Sequence, residues 1–215
     1  MTKIRTGCLV VISGPSGCGK STLCGLLTQD SDLKMGLVVS HTSRERRKTE
    51  ENGREYFFTS TDEFEARRAQ GFYLETACVH GNYYGTPRDQ VDTFLDEGKM
   101  VLLEIDVQGG LQIRKNFPEA VLIFVSPPTF DTLEQRLHGR GTDSPDIIDR
   151  RIKNAVAELV QIPKYDYLVL NDELAKTVQE LKYIIHSEKF RVSRLNVQAL
   201  FGTMRLPGYC ERTSG

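Results

Sequence analysis

The chain has 215 residues, of which 28 are Lys or Arg and 29 are Asp or Glu, so its formal net charge is -1. This balance excludes a global positive field that would attract nucleic acid or an anionic membrane, so any attraction for anions has to be local. The longest apolar runs are about five residues, whereas a membrane-spanning helix needs roughly 18. The N-terminus also lacks a long apolar signal core. We therefore expect a cytoplasmic protein without a nucleic-acid or membrane partner, and the composition leaves its oligomeric state open.

Cysteine and histidine spacing indicates no metal site. The five cysteines are odd in number and contain no CxxC pair, which argues against a disulfide framework and a structural zinc site. The four histidines lie far apart without metal-ligand spacing. We assign no chemistry to either residue type.

Short apolar runs alternate with helix-like stretches along the chain, which predicts an α/β fold. Four mostly aliphatic runs predict buried strands of a parallel sheet, at residues 10–13, 100–106, 121–126 and 166–171. Spaced apolar residues with breakers at both ends predict helices at residues 21–29, 87–98, 108–116, 129–138, 145–160 and 173–191.

Two segments interrupt this alternation. Residues 40–84 are richer in charge and in Thr, Tyr and Phe, and "YFFTST" and "GFYLET" predict strands of a small antiparallel lobe around a helix at 62–70. Residues 140–151, "RGTDSPDIIDRR", have the polar composition of a mobile cover, which we call the lid. The predicted organisation is a core (1–39, 96–139 and 156–190), an inserted lobe (40–95), a lid (140–155) and a tail (191–215) without an assigned role.

A glycine-rich segment near the N-terminus predicts a nucleotide site. "GPSGCGKS", residues 14–21, fits G-x-x-x-x-G-K-[ST] between a predicted strand and a predicted helix. Glycine lets backbone N–H groups approach phosphate oxygens, and the helix points its positive N-terminal end at the same charge. We expect Lys20 to reach the β- and γ-phosphates and Ser21 to offer its hydroxyl to Mg²⁺. A functionless glycine-rich turn would match by chance in about one chain in a hundred. The expected ATP-binding residues of this loop are Gly14, Pro15, Ser16, Gly17, Cys18, Gly19, Lys20, Ser21 and Thr22.

A P-loop alone does not distinguish kinases from GTPases and ATPases. "DVQG", residues 106–109, fits the D-x-x-G of a GTPase switch, but two fixed residues are weak support and no N-K-x-D follows. A P-loop GTPase is therefore retained only as an alternative.

Four further segments resemble the guanylate kinase family in the family's own order. They are "SHTSRERRKTEENGREYFF" (40–58), "YLETACVHGNYYGTP" (73–87), "LLEIDVQGG" (102–110) and "SPPTFDTLEQRLHGRGTD" (126–143). The resemblance extends from about residue 10 to residue 190. It implies a P-loop nucleoside monophosphate kinase with a three-layer parallel-sheet core, a GMP-binding lobe and a lid. The implied reaction transfers the γ-phosphoryl group of ATP to GMP or dGMP with Mg²⁺, for purine nucleotide metabolism.

The resemblance also implies roles for individual residues by motif position. The GMP phosphate would be held by Arg44, Arg47, Tyr56 and Tyr84. The guanine base would be held by Ser40, Glu75 and Thr86. Asp106 would serve the GMP amino group or the magnesium shell, directly or through water. Lys20, Arg140 and Arg151 would neutralise the transferring phosphoryl group, the two arginines arriving as the lid closes, and Arg136 and Asn171 would contact the adenine side of ATP.

Four positions depart from the family pattern. Arg46 stands where proline is usual, Lys48 and Thr49 replace a typical Pro-Gly, and Glu104 replaces a commoner aspartate. We expect these departures to affect loop stiffness more than chemistry. A rival interpretation is a guanylate-kinase-like module that binds a protein partner. Such modules typically have a degraded P-loop and lid, so the intact residues 19–21 and both lid arginines favour the enzyme.

Overall fold

The computed structural model describes residues 7–33, 35–79, 81–138 and 145–194. Its strands, in chain order, are β1 (Cys8–Ser13), β2 (Met35–Leu37), β3 (His41–Thr42), β4 (Phe57–Phe58), β5 (Tyr73–Val79), β6 (Asn82–Pro87), β7 (Met100–Glu104), β8 (Val121–Ser126) and β9 (Tyr167–Leu170). Its α-helices are α1 (Lys20–Thr28), α2 (Thr61–Ala69), α3 (Arg88–Asp96), α4 (Val107–Asn116), α5 (Phe130–His138), α6 (Pro145–Leu159) and α7 (Leu174–Glu188). Short 3-10 helices follow at Ile162–Lys164 and Val192–Arg194.

The core is a parallel sheet between two helical layers. Its strand order is β2-β7-β1-β8-β9, and every pairing in it is parallel. In β1, Val10 and Ile12 pack in the cluster that includes α1 and α7, whereas Leu9 and Val11 pack in the cluster that includes α3 and α4. Because both faces of β1 and β8 are covered, these strands contain continuous apolar runs. The predicted three-layer α/β core is confirmed.

A second sheet, with strand order β4-β3-β6-β5, forms the inserted lobe. The β5–β6 and β3–β6 pairs are antiparallel, as predicted, but β3 and β4 pair in parallel. Helix α2 contributes the buried Phe64, whose ring stacks on Tyr73 and Tyr83 at centroid distances of 4.5 and 5.4 Å. The aromatic residues of this segment therefore form a small separate core.

One prediction about the edges of the core needs correction. The strand predicted at 166–171 as buried is the sheet edge β9, where Leu168 and Leu170 are 49% and 48% exposed. The helix predicted from residue 145 is present as α6, residues 139–144 lie outside the described part, and the role of residues 140–155 as a lid stays a prediction. None of the described helices is both long and apolar enough to cross a bilayer.

The start of the predicted tail is attached to the core. Glu188, at the end of α7, is 2% exposed and accepts hydrogen bonds from Arg191 (2.7 Å), from Arg194 (3.1 and 3.3 Å) and from the Tyr167 hydroxyl (3.1 Å). Arg194 also donates to the Glu119 carbonyl at 3.0 Å. Residues 191–194 are therefore part of the folded core.

Candidate active site

The glycine-rich loop joins β1 to α1 at the carboxyl edge of the parallel sheet. Gly19 precedes α1 with φ 91°, in the left-handed region that favours glycine. A Cβ on Gly19 would lie 2.5 Å from the Asn171 amide nitrogen, so the position also excludes a side chain. A polar cleft of about 300 Å³ is lined by Ser16, Gly17, Gly19, Lys20, Ser21, Thr22 and Glu104. The predicted phosphate loop is thus an open, polar concavity at a helix N-terminus.

Lys20 folds back over its own loop. Its Nζ donates to the Gly14 carbonyl at 2.6 Å and to the Pro15 carbonyl at 3.2 Å. It also lies 3.8 Å from the Cys18 sulfur. Burial raises the pKa of the Cys18 thiol, and the Lys20 charge opposes that rise. The ammonium group is therefore held by two neutral carbonyls that anionic phosphate oxygens can replace.

Two acidic residues lie beside this loop, Glu104 as the last residue of β7 and Asp106 two residues later. Ser21 Oγ donates to Glu104 Oε1 at 2.5 Å, so Glu104 contacts the side chain that we predicted as a magnesium ligand. This contact links Glu104 to a predicted site residue, and our expectation that the departure affects loop stiffness more than chemistry stays a prediction. Asp106 caps α4 by accepting from the Gly109 N–H at 2.7 Å, and its carbonyl accepts from Ser13 Oγ at 3.2 Å.

Asn171 and Arg136 connect the glycine-rich loop to the segment after β9 and to α5. We call the Asn171–Cys18 hydrogen bond the Asn171–Cys18 brace. Asn171 Nδ2 donates to the Cys18 carbonyl at 2.8 Å, and its side chain is buried at 7% exposure. Arg136 Nη2 donates to the Asn171 carbonyl at 3.0 Å. Asn171 thus contacts the loop and Arg136 contacts Asn171, while the role of both residues toward adenine stays a prediction.

The lobe contains a buried carboxylate–hydroxyl pair. Glu75 on β5 and Thr86 on β6 are cross-strand partners with exposures of 5% and 0%. Thr86 Oγ1 donates to Glu75 Oε1 at 2.6 Å. Burial raises the pKa of Glu75 to about 7; the Thr86 hydrogen bond opposes this rise, and the Asp106 charge adds to it. The pair therefore presents a carboxyl group that accepts hydrogen bonds and whose pKa lies close to neutral pH.

Arg44, Tyr56 and Tyr84 lie together, as predicted. The Arg44 guanidinium is 5.7 Å from the Tyr56 ring centroid, and the Tyr56 and Tyr84 rings are 5.8 Å apart. Arg44 Nη2 donates to Glu50 Oε1 at 2.8 Å, and the Arg47 backbone N–H donates to Glu50 Oε2 at 2.8 Å. Glu50, which the sequence analysis did not single out, organises this arginine loop while the Arg47 residue is exposed.

The remaining predicted residues occupy three different settings. The Ser40 carbonyl accepts from the Phe57 N–H at 2.9 Å, which attaches the segment to β4. Arg140 lies outside the described residues. Arg151 lies on α6, four residues before Ala155, which is buried against Leu133 and Leu137 of α5. One face of α6 therefore packs on α5, whose Leu137 side chain lies close to Gly17 of the phosphate loop.

A carboxylate that the sequence analysis missed shares this setting. Glu158 follows Ala155 by three residues on α6, so the two lie on the same helix face. Burial raises the pKa of Glu158 to about 7, against the lowering effect of Lys20 and together with the Asp106 charge. Glu158 is therefore part of the electrostatic surroundings of Lys20. A glutamate within an ordinary amphipathic helix gives no sequence signal for such a position.

Comparison with known proteins agrees with this geometry. The sequence profile of the guanylate kinase family matches residues 6–188. A guanylate kinase of Streptococcus thermophilus is 47% identical over 189 residues, covering 88% of this chain and 90% of that protein. A guanylate kinase of Dechloromonas aromatica is 44% identical over 200 residues, covering 92% and 98%. The crystal structure of guanylate kinase from Anaplasma phagocytophilum aligns with a TM-score of 0.75 at 29% identity, covering 93% of this chain and 95% of that one. The chain therefore belongs to the guanylate kinase family.

Proposed function

We propose that the protein transfers the γ-phosphoryl group of ATP to GMP, giving ADP and GDP. The observation that carries the choice of acceptor is the buried Glu75–Thr86 pair beside Asp106. Guanine presents two adjacent donors, N1–H and the N2 amine, and one carboxylate can accept from both. Adenine has an unprotonated N1 and no N2 amine, so the Glu75 carboxylate would find no hydrogen-bond donor on that edge of the base. Family membership supports this acceptor as well.

The glycine-rich loop is assigned to the phosphates of ATP. Backbone N–H groups of residues 14–22 would surround the phosphate oxygens, and Lys20 would exchange the Gly14 and Pro15 carbonyls for them. A charge-assisted bond to phosphate is stronger than a bond to a neutral carbonyl, so this exchange is favourable. Asn171, bonded to the Cys18 carbonyl, would keep the loop in shape while Lys20 moves.

The residues beside the loop suit Mg²⁺. This cation usually binds through one or two protein oxygen ligands plus substrate phosphates and water. Ser21 Oγ and Glu104 Oε1 already lie in hydrogen-bond contact at the cleft, and both oxygen atoms are of the kind that Mg²⁺ takes as ligands. We assign Ser21 to the metal directly and Glu104 and Asp106 to its outer shell. When bound, Mg²⁺ would neutralise negative charge on the β- and γ-phosphates.

The arginine loop of the lobe is assigned to the GMP phosphate. Arg44, Arg47, Tyr56 and Tyr84 supply two guanidinium groups and two phenol hydroxyls, which match a dianionic phosphate. Glu50 holds Arg44 and the Arg47 backbone in place in the ligand-free protein. Ser40 completes the base-recognising set with Glu75 and Thr86.

The reaction needs no nucleophile from the protein, because GMP supplies it. The protein has to position the two nucleotides and neutralise the charge on the transferring group. A GMP phosphate oxygen attacks the γ-phosphorus in line while the bond to the β–γ bridging oxygen breaks and ADP leaves. Lys20 would stabilise the charge on the transferring group, joined by Arg140 and Arg151 when the segment 140–155 closes as a lid. In this proposal residues 1–39, 96–139 and 156–190 form the core, and 40–95 form the GMP lobe.

A panel of acceptor nucleotides tests the proposal. Protein, ATP and Mg²⁺ are incubated in turn with GMP, dGMP, AMP, UMP and dTMP, and ADP release is measured. We expect release with the two guanine nucleotides and rejection of AMP by roughly 10⁴ in kcat/KM, the scale for buried polar groups left unpaired. Equal efficiency with AMP and GMP would refute the assignment of Glu75.

A further inference from the structure

The β5 strand, which includes Glu75, lies at the edge of its sheet, yet helix α4 satisfies its outward-facing backbone. Gln112 Oε1 accepts from the Thr76 N–H at 3.1 Å, and Gln112 Nε2 donates to the Thr76 carbonyl at 2.8 Å. Asn116 Nδ2 donates to the Leu74 carbonyl at 2.8 Å. These three hydrogen bonds, which we call the α4 clasp, hold the residues on both sides of Glu75. The clasp replaces the missing neighbour strand.

The same face of α4 contacts the Glu75 carboxylate. Gly109, Gln112 and Asn116 follow one another at helical spacings of three and four residues, so they form one stripe. A Cβ on Gly109 would lie 2.9 Å from Glu75 Oε2 and 3.4 Å from Asp106 Oδ1, so a side chain here would displace the Glu75 carboxylate. The first turn of α4 therefore supports the carboxylate while the later turns hold its strand.

The β5 strand is irregular at this point. Its register against β6 shifts between Tyr73 and Glu75, as at a β-bulge. A bulge re-aims a side chain but leaves the local backbone less constrained by the ladder. Thr86, the cross-strand partner of Glu75, lies on β6 of the lobe, whereas α4 is capped by Asp106, which follows the core strand β7. The α4 clasp is thus one of the described connections between the Glu75 backbone and the core helix that Asp106 caps; the buried Leu74, in the same core cluster as Ile113 of α4, is another.

We propose that Gln112 is a positioning residue for guanine recognition, which acts by holding the Thr76 backbone so that the Glu75 carboxylate stays against Gly109 beside Asp106. This inference rests on the proposed role of Glu75 toward GMP. Gln112 touches neither substrate in this account and acts through Glu75. The half-buried Gln112 makes two of the clasp bonds, whereas Asn116 is exposed and contributes less, because water competes for its single bond.

Gln112→Met tests the inference, because methionine keeps the side-chain length and helix propensity but removes both hydrogen bonds. We expect the Kd of GMP, measured by calorimetry, and the KM for GMP to rise about 10-fold, the effect of losing two neutral hydrogen bonds. The KM for ATP should change less than about twofold, and the preference for GMP over AMP should fall about 10-fold. Gln179→Met, an exposed glutamine on α7, is the matched control and should leave all four values unchanged.

A double variant distinguishes positioning from plain structural support. If Gln112 acts through Glu75, Gln112→Met should add less than about twofold to the GMP Kd in a Glu75→Gln background. Gln112→Asn, which keeps the amide but withdraws it by one methylene, serves if Gln112→Met loses its native circular dichroism, and should raise the Kd about fivefold.

A GMP Kd within about twofold of the parent in the folded variants would overturn the inference, as would an undiminished effect in the Glu75→Gln background. Failure of the proposed function is distinguishable, because it would appear in the parent protein as ADP release that does not depend on GMP, or as no ADP release.

Discussion

Protonation of Glu75 should weaken GMP binding below neutral pH. Burial raises the pKa of this carboxyl to about 7, and the Asp106 charge adds to the rise. Only the ionised form accepts from both N1–H and the N2 amine, so GMP selects it. With a pKa of about 7, roughly one tenth of the ligand-free protein is ionised at about pH 6. The apparent Kd of GMP should therefore rise about 10-fold between about pH 8 and about pH 6.

The same linkage predicts proton release on binding. At about pH 6.5 roughly three quarters of Glu75 is protonated in the ligand-free protein, so GMP should displace a similar fraction of a proton. Calorimetry in buffers of different ionisation enthalpy measures this number directly. The GMP phosphate itself titrates near about pH 6, so Glu75→Gln is the control that isolates the carboxyl contribution. A parent and a variant with identical pH dependence of GMP affinity would refute the reasoning.

Ionisation of Glu75 should lower the stability of the ligand-free protein as pH rises, whereas it strengthens GMP binding over the same pH range. From about pH 4.5 to about 7 the folded protein retains a proton that the unfolded chain has released, so the free energy of unfolding falls as pH rises through this window. The pKa rises from 4.5 to about 7, and each pKa unit corresponds to about 1.4 kcal/mol, so ionisation lowers the free energy of unfolding by at most about 3 kcal/mol. Glu75→Gln should therefore gain stability, relative to the parent, at about pH 8 but not at about pH 4.

Four further variants test other parts of the account. Lys20→Ala should keep its native circular dichroism and lose about 10² or more in kcat, as when one donor to a transition-state oxyanion is removed; unchanged turnover would contradict its role. Arg140→Ala and Arg151→Ala should lower kcat by about 10² or more with little change in GMP affinity. Hydrogen exchange over residues 140–155 should be slowest with GMP plus a non-hydrolysable ATP analogue. Equal protection of this segment without ligands would exclude a lid. Glu188→Ala leaves the Arg194 guanidinium buried without its carboxylate partner and should lower the free energy of unfolding, measured by urea titration, by about 3 kcal/mol. An unchanged free energy of unfolding would show that the ion pair does not stabilise the fold.

Continuous apolar runs predicted the core well because its central strands are covered on both faces. The strands β1 and β8 and the P-loop between β1 and α1 could be predicted from local sequence alone. The strands β2, β3 and β6 were missed, because the first two have three and two residues and the third, "NYYGTP", contains the strand breakers glycine and proline. Such short strands depend on pairing partners rather than on propensity.

Contacts between distant residues account for what the sequence did not indicate. The Asn171–Cys18 brace, the Gln112–Thr76 bonds and the Arg194–Glu119 bond connect residues whose separation in the chain gives no periodic pattern. The family motifs assign residues to the nucleotides, an assignment that stays a prediction, and they did not indicate which residues hold those side chains in place. Glu104 shows the same limit, because its contact with Ser21 depends on how β7 ends beside the loop.

Phosphoryl transfer to GMP is tested most directly by following the transferred group. With ATP radiolabelled on its γ-phosphorus, Mg²⁺ and GMP, the account predicts label in the β-phosphate of GDP in an amount equal to the ADP formed. Label released as inorganic phosphate would indicate hydrolysis, and retention of all label in ATP would indicate a module that binds without catalysis. Either result, obtained with folded protein, would contradict the account.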